Sequence, residues 1–170
     1  MTVVRCIDSL CAGESAQIML FQLRISLMES AVEALHHAGA RRQPIRAPHL
    51  ATGARGERAA FFWLRRHGYI VVARGWKSAR ARGDLDLIAW DEETLCFIEV
   101  KTRTTRAVAP AEMAVDQEKR RVLRRLARHY MRQLPNRDVP VRFDILSIYF
   151  EKDQPPAFEH FPHAFGFVEN

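Results

Sequence analysis

Two neighbouring β-strands that are apolar on both faces constrain the fold of this chain more than any other feature. The first covers Asp84–Ala89, the second covers Cys96–Thr102, and the polar segment Asp91–Thr94 forms the turn between them. A strand with two apolar faces lies inside a layered domain, because each face needs its own covering layer. The sequence therefore predicts a hairpin inside a mixed sheet that is covered by helices.

Charged side chains interrupt this hairpin near one end only. They are Asp84, Asp86, Glu99 and Lys101. A turn centred between residues 92 and 93 sets Asp86 directly opposite Glu99, with their Cβ atoms roughly 4.5–5.5 Å apart. The same register sets Asp84 opposite Lys101. A slip of one residue would move Glu99 to the other face, so the arrangement depends on this register.

The apolar residues of the hairpin support that register. One face is formed by Leu85, Leu87, Ile98 and Val100, and Ile88 and Phe97 continue the other face beyond the charges. Two carboxylates at the edge of a core repel each other, and one would normally take up a proton. A divalent cation removes this conflict, and Mg²⁺ binds a few carboxylates together with water and phosphate oxygens. We therefore expect a Mg²⁺ or Mn²⁺ site at this edge of the sheet.

Two helices add one charged residue each to an apolar stripe. Glu57 shares its stripe with Ala60, Phe61 and Leu64, and Lys119 lies on the stripe of Leu123. Glu57 is either a third acid of the site or a first-turn carboxylate that the helix dipole favours, with its tip in water. Lys119 is either part of the site or a lysine that extends from the edge of the core to solvent.

Helix and strand signals in the rest of the chain give the order helix, three strands, helix, strand. The first helix runs from Arg55 to His67 and ends at Gly68, and a strand follows at Tyr69–Ala73. The second helix runs from Asp116, as N-cap, to Gln133, and the last strand is Val141–Phe150. The predicted domain covers residues 53–170.

Residues 1–52 differ from the remainder and are predicted to be an extension that is helical or poorly ordered. Ala16–His37 has the periodicity of an amphipathic helix, and Gly39–Gly53 has the composition of a basic linker. Two interpretations stay open. The extension is either a partner-binding helix or the product of an upstream start codon that is rarely used.

Composition narrows the classes of partner and compartment. The net charge is +6 with a pI near 9.7, which favours a polyanionic partner such as nucleic acid. Cys6, Cys11 and Cys96 form neither a disulfide framework nor a zinc motif. No apolar run is long enough to span a bilayer, and no convincing signal peptide precedes the domain. We therefore expect a cytoplasmic protein without a membrane partner.

Short motifs occur in a fixed order along the chain: Gly56-Glu57, Gly68-Tyr69, Gly83 to Ile88, Phe97 to Arg103, the Lys119 helix, Arg142-Phe143-Asp144 and His160 to Phe165. This ordered set resembles the bacterial YraN family, which looks like a branch of the PD-(D/E)XK, restriction-endonuclease-like or Holliday-junction-resolvase-like superfamily. The resemblance covers roughly residues 53–165. The chain departs from the family at one position, where the family usually has glutamate and this chain has Asp84. We therefore expect Asp84 to be no more than an additional contributor to the site.

The resemblance implies a fold, a reaction and a role for each site residue. The fold would be a three-layer α/β/α core with a mixed central sheet. Asp86, Glu99 and Glu57 would be metal ligands, and Lys101 would orient or polarise the attacking water. The reaction would be Mg²⁺-dependent hydrolysis of phosphodiester bonds in DNA, selective for branched or flapped structures. Many nucleases of this type act as homodimers, so the resemblance also admits a homodimer here.

Basic residues around the proposed site are the candidates for binding the nucleic acid, which is expected to be DNA in preference to RNA. They are Arg58, Arg82, Arg103 and Lys119. Such contacts hold a backbone without reading its sequence. The run Arg74–Arg82 is predicted to be a flexible segment beside the site.

Two further interpretations compete with the nuclease. The first is a non-catalytic nucleic-acid-binding module on the same fold. The second is a structural protein in which Lys101 forms a salt-bridge cluster with Asp84 and Asp86, and whose stability would not respond to Mg²⁺. Transferases and redox enzymes are disfavoured, because the chain has neither a glycine-rich phosphate loop nor a C-x-x-C motif.

Overall fold

The computed structural model describes residues 48–105 and 115–167, and five separate helical positions at 23, 24, 27, 28 and 31. The chain divides into two units, Met1–Arg46 and Ala47–Asn170, and the second carries the features analysed below. The five helical positions lie within the predicted Ala16–His37 helix, and the rest of that helix lies outside the described residues. No helix among the described residues is long and apolar enough to cross a bilayer.

The second unit has a five-stranded mixed sheet between two helices. The elements are α1 (Pro48–Arg66), β1 (Ile70–Ser78), β2 (Ala81–Asp91), β3 (Thr94–Arg103), α2 (Gln117–Met131), β4 (Val141–Tyr149) and β5 (Ala157–Phe165). The strands follow one another across the sheet in chain order. All neighbours are antiparallel except β3 and β4, which are parallel because α2 lies between them in sequence. The predicted α/β fold is confirmed, and it is consistent with a restriction-endonuclease-like core.

Each helix covers its own face of the sheet with a separate apolar core. On the α1 face, Ala60 and Leu64 pack with Leu87, Ile98 and other buried residues. On the α2 face, the core is formed by residues such as Leu123, Leu126, Ile88, Phe97 and Phe143. Every one of these side chains is at most 3% exposed. The periodicities read from the sequence therefore identified the buried stripe of both helices correctly.

The central hairpin has the predicted register, but its strands separate sooner than expected. Asp91 pairs with Thr94 and Leu87 pairs with Ile98, so the turn is centred between residues 92 and 93. The ladder between β2 and β3 ends at the Leu87–Ile98 pair. Asp84 pairs with Lys77 of β1, so the prediction that it lies opposite Lys101 is wrong.

The two faces of β2 change sides where β2 leaves β3. Gly75 of β1 has φ +54° and lies between the pairs Arg74–Leu87 and Trp76–Leu85. Beyond this point the β1–β2 hairpin packs along α2, and Leu85 belongs to the α2-side core while Leu87 belongs to the α1-side core. The prediction that Leu85 and Leu87 share one face is therefore wrong.

Several predicted boundaries need correction. Helix α1 begins at Pro48, so residues 48–53 of the predicted linker are helical. Proline suits the first position of a helix because its missing N–H has no partner there. The run Arg74–Arg82 belongs to the β1–β2 hairpin and is not an irregular segment. Asp116 is the N-cap of α2, as predicted, and its side chain accepts a hydrogen bond from the Lys119 N–H at 2.8 Å.

Strand β5 was not predicted from the sequence. It contains Pro162, a residue that the sequence rules exclude from central strands. β5 is an edge strand, and its register with β4 shifts between Phe143 and Ile145, opposite the segment that holds Pro162 and His163. His163 has φ +54°. An irregular edge strand tolerates the missing N–H of proline, which an interior strand would not.

A buried ionic network attaches this edge strand to the sheet. Asp144 is fully buried and accepts hydrogen bonds from Arg142 Nε and from the His163 backbone N–H, each at 3.0–3.1 Å. His160 Nε2 lies 3.1 Å from the same carboxylate. Arg142 also donates to Asp91 at 2.8 Å. These contacts account for the Arg142-Phe143-Asp144 motif and for the histidines of the closing segment as structural elements.

The approach of α1 to β3 depends on a glycine. A Cβ atom on Gly56 would lie 1.8 Å from Thr102 Oγ1 and 3.2 Å from its Cγ2. Rotation of this β-branched side chain cannot clear both atoms. We expect Gly56→Ala to lower the free energy of unfolding by about 1–3 kcal/mol, although alanine favours helix by about 1 kcal/mol. Urea denaturation followed by circular dichroism measures the change.

Gly53→Ala is the matched control, because a Cβ at Gly53 meets nothing within 4 Å in the same helix. This variant should be unchanged or more stable by up to about 1 kcal/mol. Equal stability of the two alanine variants would contradict the close contact between α1 and β3.

Candidate active site

Glu99 is the central charged residue of the site. It lies on β3 with only 5% of its surface exposed. Its Oε1 atom is 3.0 Å from Lys101 Nζ and 3.0 Å from Lys119 Nζ, whereas Oε2 is buried and has no hydrogen-bond partner among the described residues. Two cations therefore share one carboxylate oxygen while the other oxygen is left unsatisfied. Lys101 forms its ion pair with Glu99. The structural interpretation had instead required ion pairs between Lys101 and the two aspartates of β2.

Asp86 occupies the point where β2 and β3 separate. Its Oδ2 atom accepts a hydrogen bond from the Val100 N–H at 2.8 Å, which replaces a ladder bond between the strands. Burial, and next the nearby Glu99 carboxylate, raise the pKa of Asp86 to about 7. The bond from Val100 and the charge of Lys119 act in the opposite direction. Asp86 and Glu99 thus form a pair of carboxylates that repel each other. The predicted proximity is confirmed, although the ladder between β2 and β3 ends one pair before these two residues.

Lys119 connects α2 to this pair. Burial lowers its pKa, but the Glu99 carboxylate outweighs that effect, so the pKa of Lys119 is raised above its ordinary value. The ammonium group is therefore charged at neutral pH. Of the two interpretations left open by the sequence, the structure supports a lysine that is part of the charged cluster. We call Asp86, Glu99, Lys101 and Lys119 the acid centre.

Glu57 lies beside the acid centre on α1. Burial raises its pKa, and the Asp84 and Glu99 carboxylates raise it further, while Arg74 lowers it. Glu57 lines an open cavity of about 610 Å³ together with Lys101, Thr102 and Arg103. This cavity gives a solute access to Lys101 and Glu57 from one side of the acid centre.

The four predicted nucleic-acid-binding residues have different surroundings. Arg103 lines the cavity, and Lys119 is held by Glu99. Arg82 is exposed on the β1–β2 hairpin, and Arg58 is partly exposed on α1 next to Glu57. Neither Arg58 nor Arg82 forms an ion pair with the described part of the chain. The structure therefore brings Arg103 and Lys119 to the site and does not place the other two in the cavity.

The donor set offers two carboxylates to a divalent cation. Over residues 48–105 and 115–167, no three His, Cys, Asp or Glu side chains are placed to hold a metal ion. The predicted ligand set of Asp86, Glu99 and Glu57 stays a prediction. Asp86 and Glu99 do fit a hard cation that keeps several waters, because the buried Glu99 Oε2 lacks any partner.

The sequence did not predict that both lysines contact the same oxygen of Glu99. The sequence set Lys101 opposite Asp84, and the partner of Lys119 could not be read from it, because that partner depends on how α2 packs. The sequence did not predict the close approach between Gly56 and Thr102, which positions Glu57. A glycine next to a glutamate inside a predicted helix hints at such an approach but does not identify the partner.

A comparison with known protein families identifies the family of this chain. The model of the uncharacterised protein family UPF0102 matches residues 56–148, which contain every residue of the acid centre. The chain belongs to the UPF0102 family. This is the restriction-endonuclease-like YraN group, so the resemblance stated from the motifs is confirmed.

Bacterial UPF0102 proteins share a large part of the chain. A UPF0102 protein of Koribacter versatilis is 51% identical over 113 residues, which is 66% of this chain and 78% of the relative. One from Solibacter usitatus is 43% identical over 58% of this chain and 75% of its own. One from Geobacter metallireducens is 36% identical over 66% of this chain and 90% of its own. The UPF0102 name describes no activity, so the function must be argued from the site.

The raised pKa of Asp86 predicts how pH affects stability in the absence of divalent metal. Asp86 binds its proton more tightly in the folded than in the unfolded state, so its contribution to stability is present below pH 4 and is lost as pH rises through about 7. Asp86→Asn removes the buried charge and keeps an acceptor for the Val100 N–H. At pH 8 in EDTA the melting temperature should rise on the order of 5 °C.

The difference between Asp86→Asn and the unsubstituted protein should become small near pH 4, where the aspartate is protonated in the folded state and about half protonated in the unfolded state. Calorimetry at pH 4, 6 and 8 provides the comparison. A difference that stays constant over this range would show that Asp86 is not held in a charge-repelling site.

Proposed function

We propose that the acid centre is the catalytic site of a metal-dependent nuclease that hydrolyses phosphodiester bonds in DNA. The observation that carries this proposal is the buried Glu99 Oε2 atom, which has no partner although Lys101 and Lys119 both contact the other oxygen. A buried carboxylate oxygen without a partner costs about 1–3 kcal/mol or more. Such a cost is explained if a cation occupies the position between Glu99 and Asp86 during function.

Asp86 and Glu99 would hold Mg²⁺ or Mn²⁺, and Glu57 would contribute a third carboxylate from α1. The Val100 N–H engages Oδ2 of Asp86, so Oδ1 would be the oxygen that binds the cation. A bound divalent ion supplies positive charge against the phosphate oxygens and makes water more acidic. Cation binding also removes the repulsion that raises the pKa of Asp86, so the acid centre and the cation stabilise each other.

Lys101 is the group best placed to act on the substrate. Its side chain is 26% exposed, and it lines the cavity together with Glu57 and Arg103. From that position the Lys101 ammonium would orient the attacking water and stabilise negative charge on the phosphate as the new P–O bond forms and the bond to the leaving oxygen breaks.

Lys119 would act as a positioning residue for Glu99. It comes from a different layer of the fold and holds the carboxylate in place through the 3.0 Å ion pair. This contact keeps one oxygen of Glu99 occupied and would leave the other for the cation. Without it, Glu99 would be tied only to Lys101, two residues along the same strand.

The basic surface supports a nucleic-acid substrate. The chain carries a net charge of +6, and Arg103 lies in the cavity next to Lys101. Arg58 and Arg82 are available for further backbone contacts, which position a nucleic acid without reading its sequence. We therefore propose selection by structure, with branched or flapped DNA as substrate, in the cytoplasm.

Cleavage of labelled linear, flapped and four-way-junction DNA tests this proposal. Protein with Mg²⁺ or Mn²⁺ should cut at least one of these substrates, and EDTA should abolish cutting. Glu99→Gln, Asp86→Asn and Lys101→Ala should each reduce the rate at least about 10²–10³-fold, since they remove groups that act on the transition state. Glu118→Gln and Lys152→Ala are controls, because both residues are exposed and lie outside the acid centre.

The alternative function is a nucleic-acid-binding module without turnover. This alternative is favoured by the two lysines, Lys101 and Lys119, which already neutralise the charge of Glu99 without a metal ion. Salt-sensitive DNA binding with no cutting in any metal would select this alternative and overturn the nuclease. Equal activity of Glu99→Gln and Glu118→Gln would show that any cutting comes from a contaminant.

A further inference from the structure

A second cavity lies away from the acid centre, between the turn of the β1–β2 hairpin and the last turn of α2. Its volume is about 370 Å³. The hairpin contributes Trp76, Lys77 and Arg80 to its lining, and the helix end contributes His129 and Arg132. We call this cavity the hairpin pocket. It is lined by three side chains with a permanent positive charge and by no carboxylate.

The three cations of the hairpin pocket are not neutralised within the described part of the chain. Lys77, Arg80 and Arg132 are exposed, and none of them forms an ion pair with a described residue. Attraction to the negative end of a helix accounts for a cation such as Arg132. It does not account for Lys77 and Arg80, which come from a separate element. Cations that converge on one cavity repel one another, and a bound anion would remove that repulsion.

Hydrogen bonds join the hairpin turn to the end of α2 at this pocket. The Arg80 N–H donates to Ser78 Oγ at 3.2 Å, and Ser78 Oγ lies 2.8 Å from His129 Nδ1. Ser78 can therefore connect both walls of the pocket, since a hydroxyl can take part in more than one hydrogen bond.

The hairpin pocket and the acid centre lie on the same helix. Lys119 and His129 are both residues of α2, and the ten residues between their positions span about 15 Å along the helix axis. At 3.4 Å per nucleotide of a strand, this corresponds to four or five base pairs of duplex DNA. A single bound duplex is therefore long enough to reach both.

We propose that the hairpin pocket binds a backbone phosphate of the same nucleic acid that the acid centre cleaves, four or five nucleotides from the cleaved bond. This inference rests on the proposed function. The ligand class is a phosphodiester group, for which guanidinium and ammonium donors are suited. The pocket would set the distance between a structural feature of the substrate and the position of cleavage.

Binding of a fluorescein-labelled duplex that carries the flap or junction at which the protein cuts, measured by anisotropy in EDTA, tests the pocket without any cleavage. Arg80→Gln/Arg132→Gln should weaken binding at least about fivefold and make the slope of log K against log salt shallower by about 1. Arg125→Gln/Lys152→Gln is the matched control. It removes two positive charges from exposed residues outside the pocket and should change affinity less than twofold.

Ethylation interference locates the phosphate. Ethylated phosphates four or five nucleotides from the cleavage position should block binding of the unsubstituted protein and have no effect on the Arg80→Gln/Arg132→Gln variant. The proposal for the pocket would be overturned if both double variants weakened DNA binding equally. It would also be overturned if Arg80→Gln/Arg132→Gln gave the same interference pattern as the unsubstituted protein. A pocket variant that loses affinity for a mononucleotide but not for duplex would also overturn it, since the pocket would then serve a free phosphate.

The experiments distinguish a failure of the pocket proposal from a failure of the proposed nuclease function. If the unsubstituted protein binds and cuts DNA while the pocket variant binds equally well, only the pocket inference fails. If the unsubstituted protein neither binds nor cuts DNA, the proposed function itself fails.

Discussion

The Glu99 carboxylate lies in the interior of the sheet, and only one of its oxygens has partners there. Taking a carboxylate out of water costs several kcal/mol, which an ion pair offsets only when its geometry is good. Lys101 and Lys119 provide that geometry from two layers of the fold. The remaining oxygen and the repelling Asp86 carboxylate leave the site incompletely compensated. Such residual strain is typical of a site that binds a further cation.

The rest of the domain holds this arrangement in place. β2 separates from β3 at Asp86, and the Val100 N–H released by the separation is satisfied by the Asp86 carboxylate. The hairpin beyond this point packs on α2, which carries Lys119. On the other face, the contact between Gly56 and Thr102 brings α1 and Glu57 close to β3. Four elements therefore converge on one carboxylate pair, and the separation of two strands creates the space between them.

The sequence predicted the centre of this fold better than its edges. The hairpin register, the stripes of both helices and the Asp86–Glu99 proximity followed from alternation and periodicity, because both strand faces are buried and one slip would expose them. Strand β5 escaped prediction because Pro162 and three charged or imidazole side chains contradict strand rules that apply to interior strands. The separate faces of Leu85 and Leu87 could not be foreseen, since they depend on how the β1–β2 hairpin packs against α2 after β2 leaves β3.

The most direct test of the central claim is an anomalous difference map from crystals of the full-length protein soaked in Mn²⁺. The account predicts one strong peak between the Asp86 and Glu99 carboxylates, with Glu99 Oε2 among the ligands and the Lys101 ammonium moved toward the cavity. The peak should be absent from crystals of Glu99→Gln. A map without density at this position under saturating Mn²⁺, with both lysines still on Glu99 Oε1, would contradict it and leave a charge cluster that needs no metal.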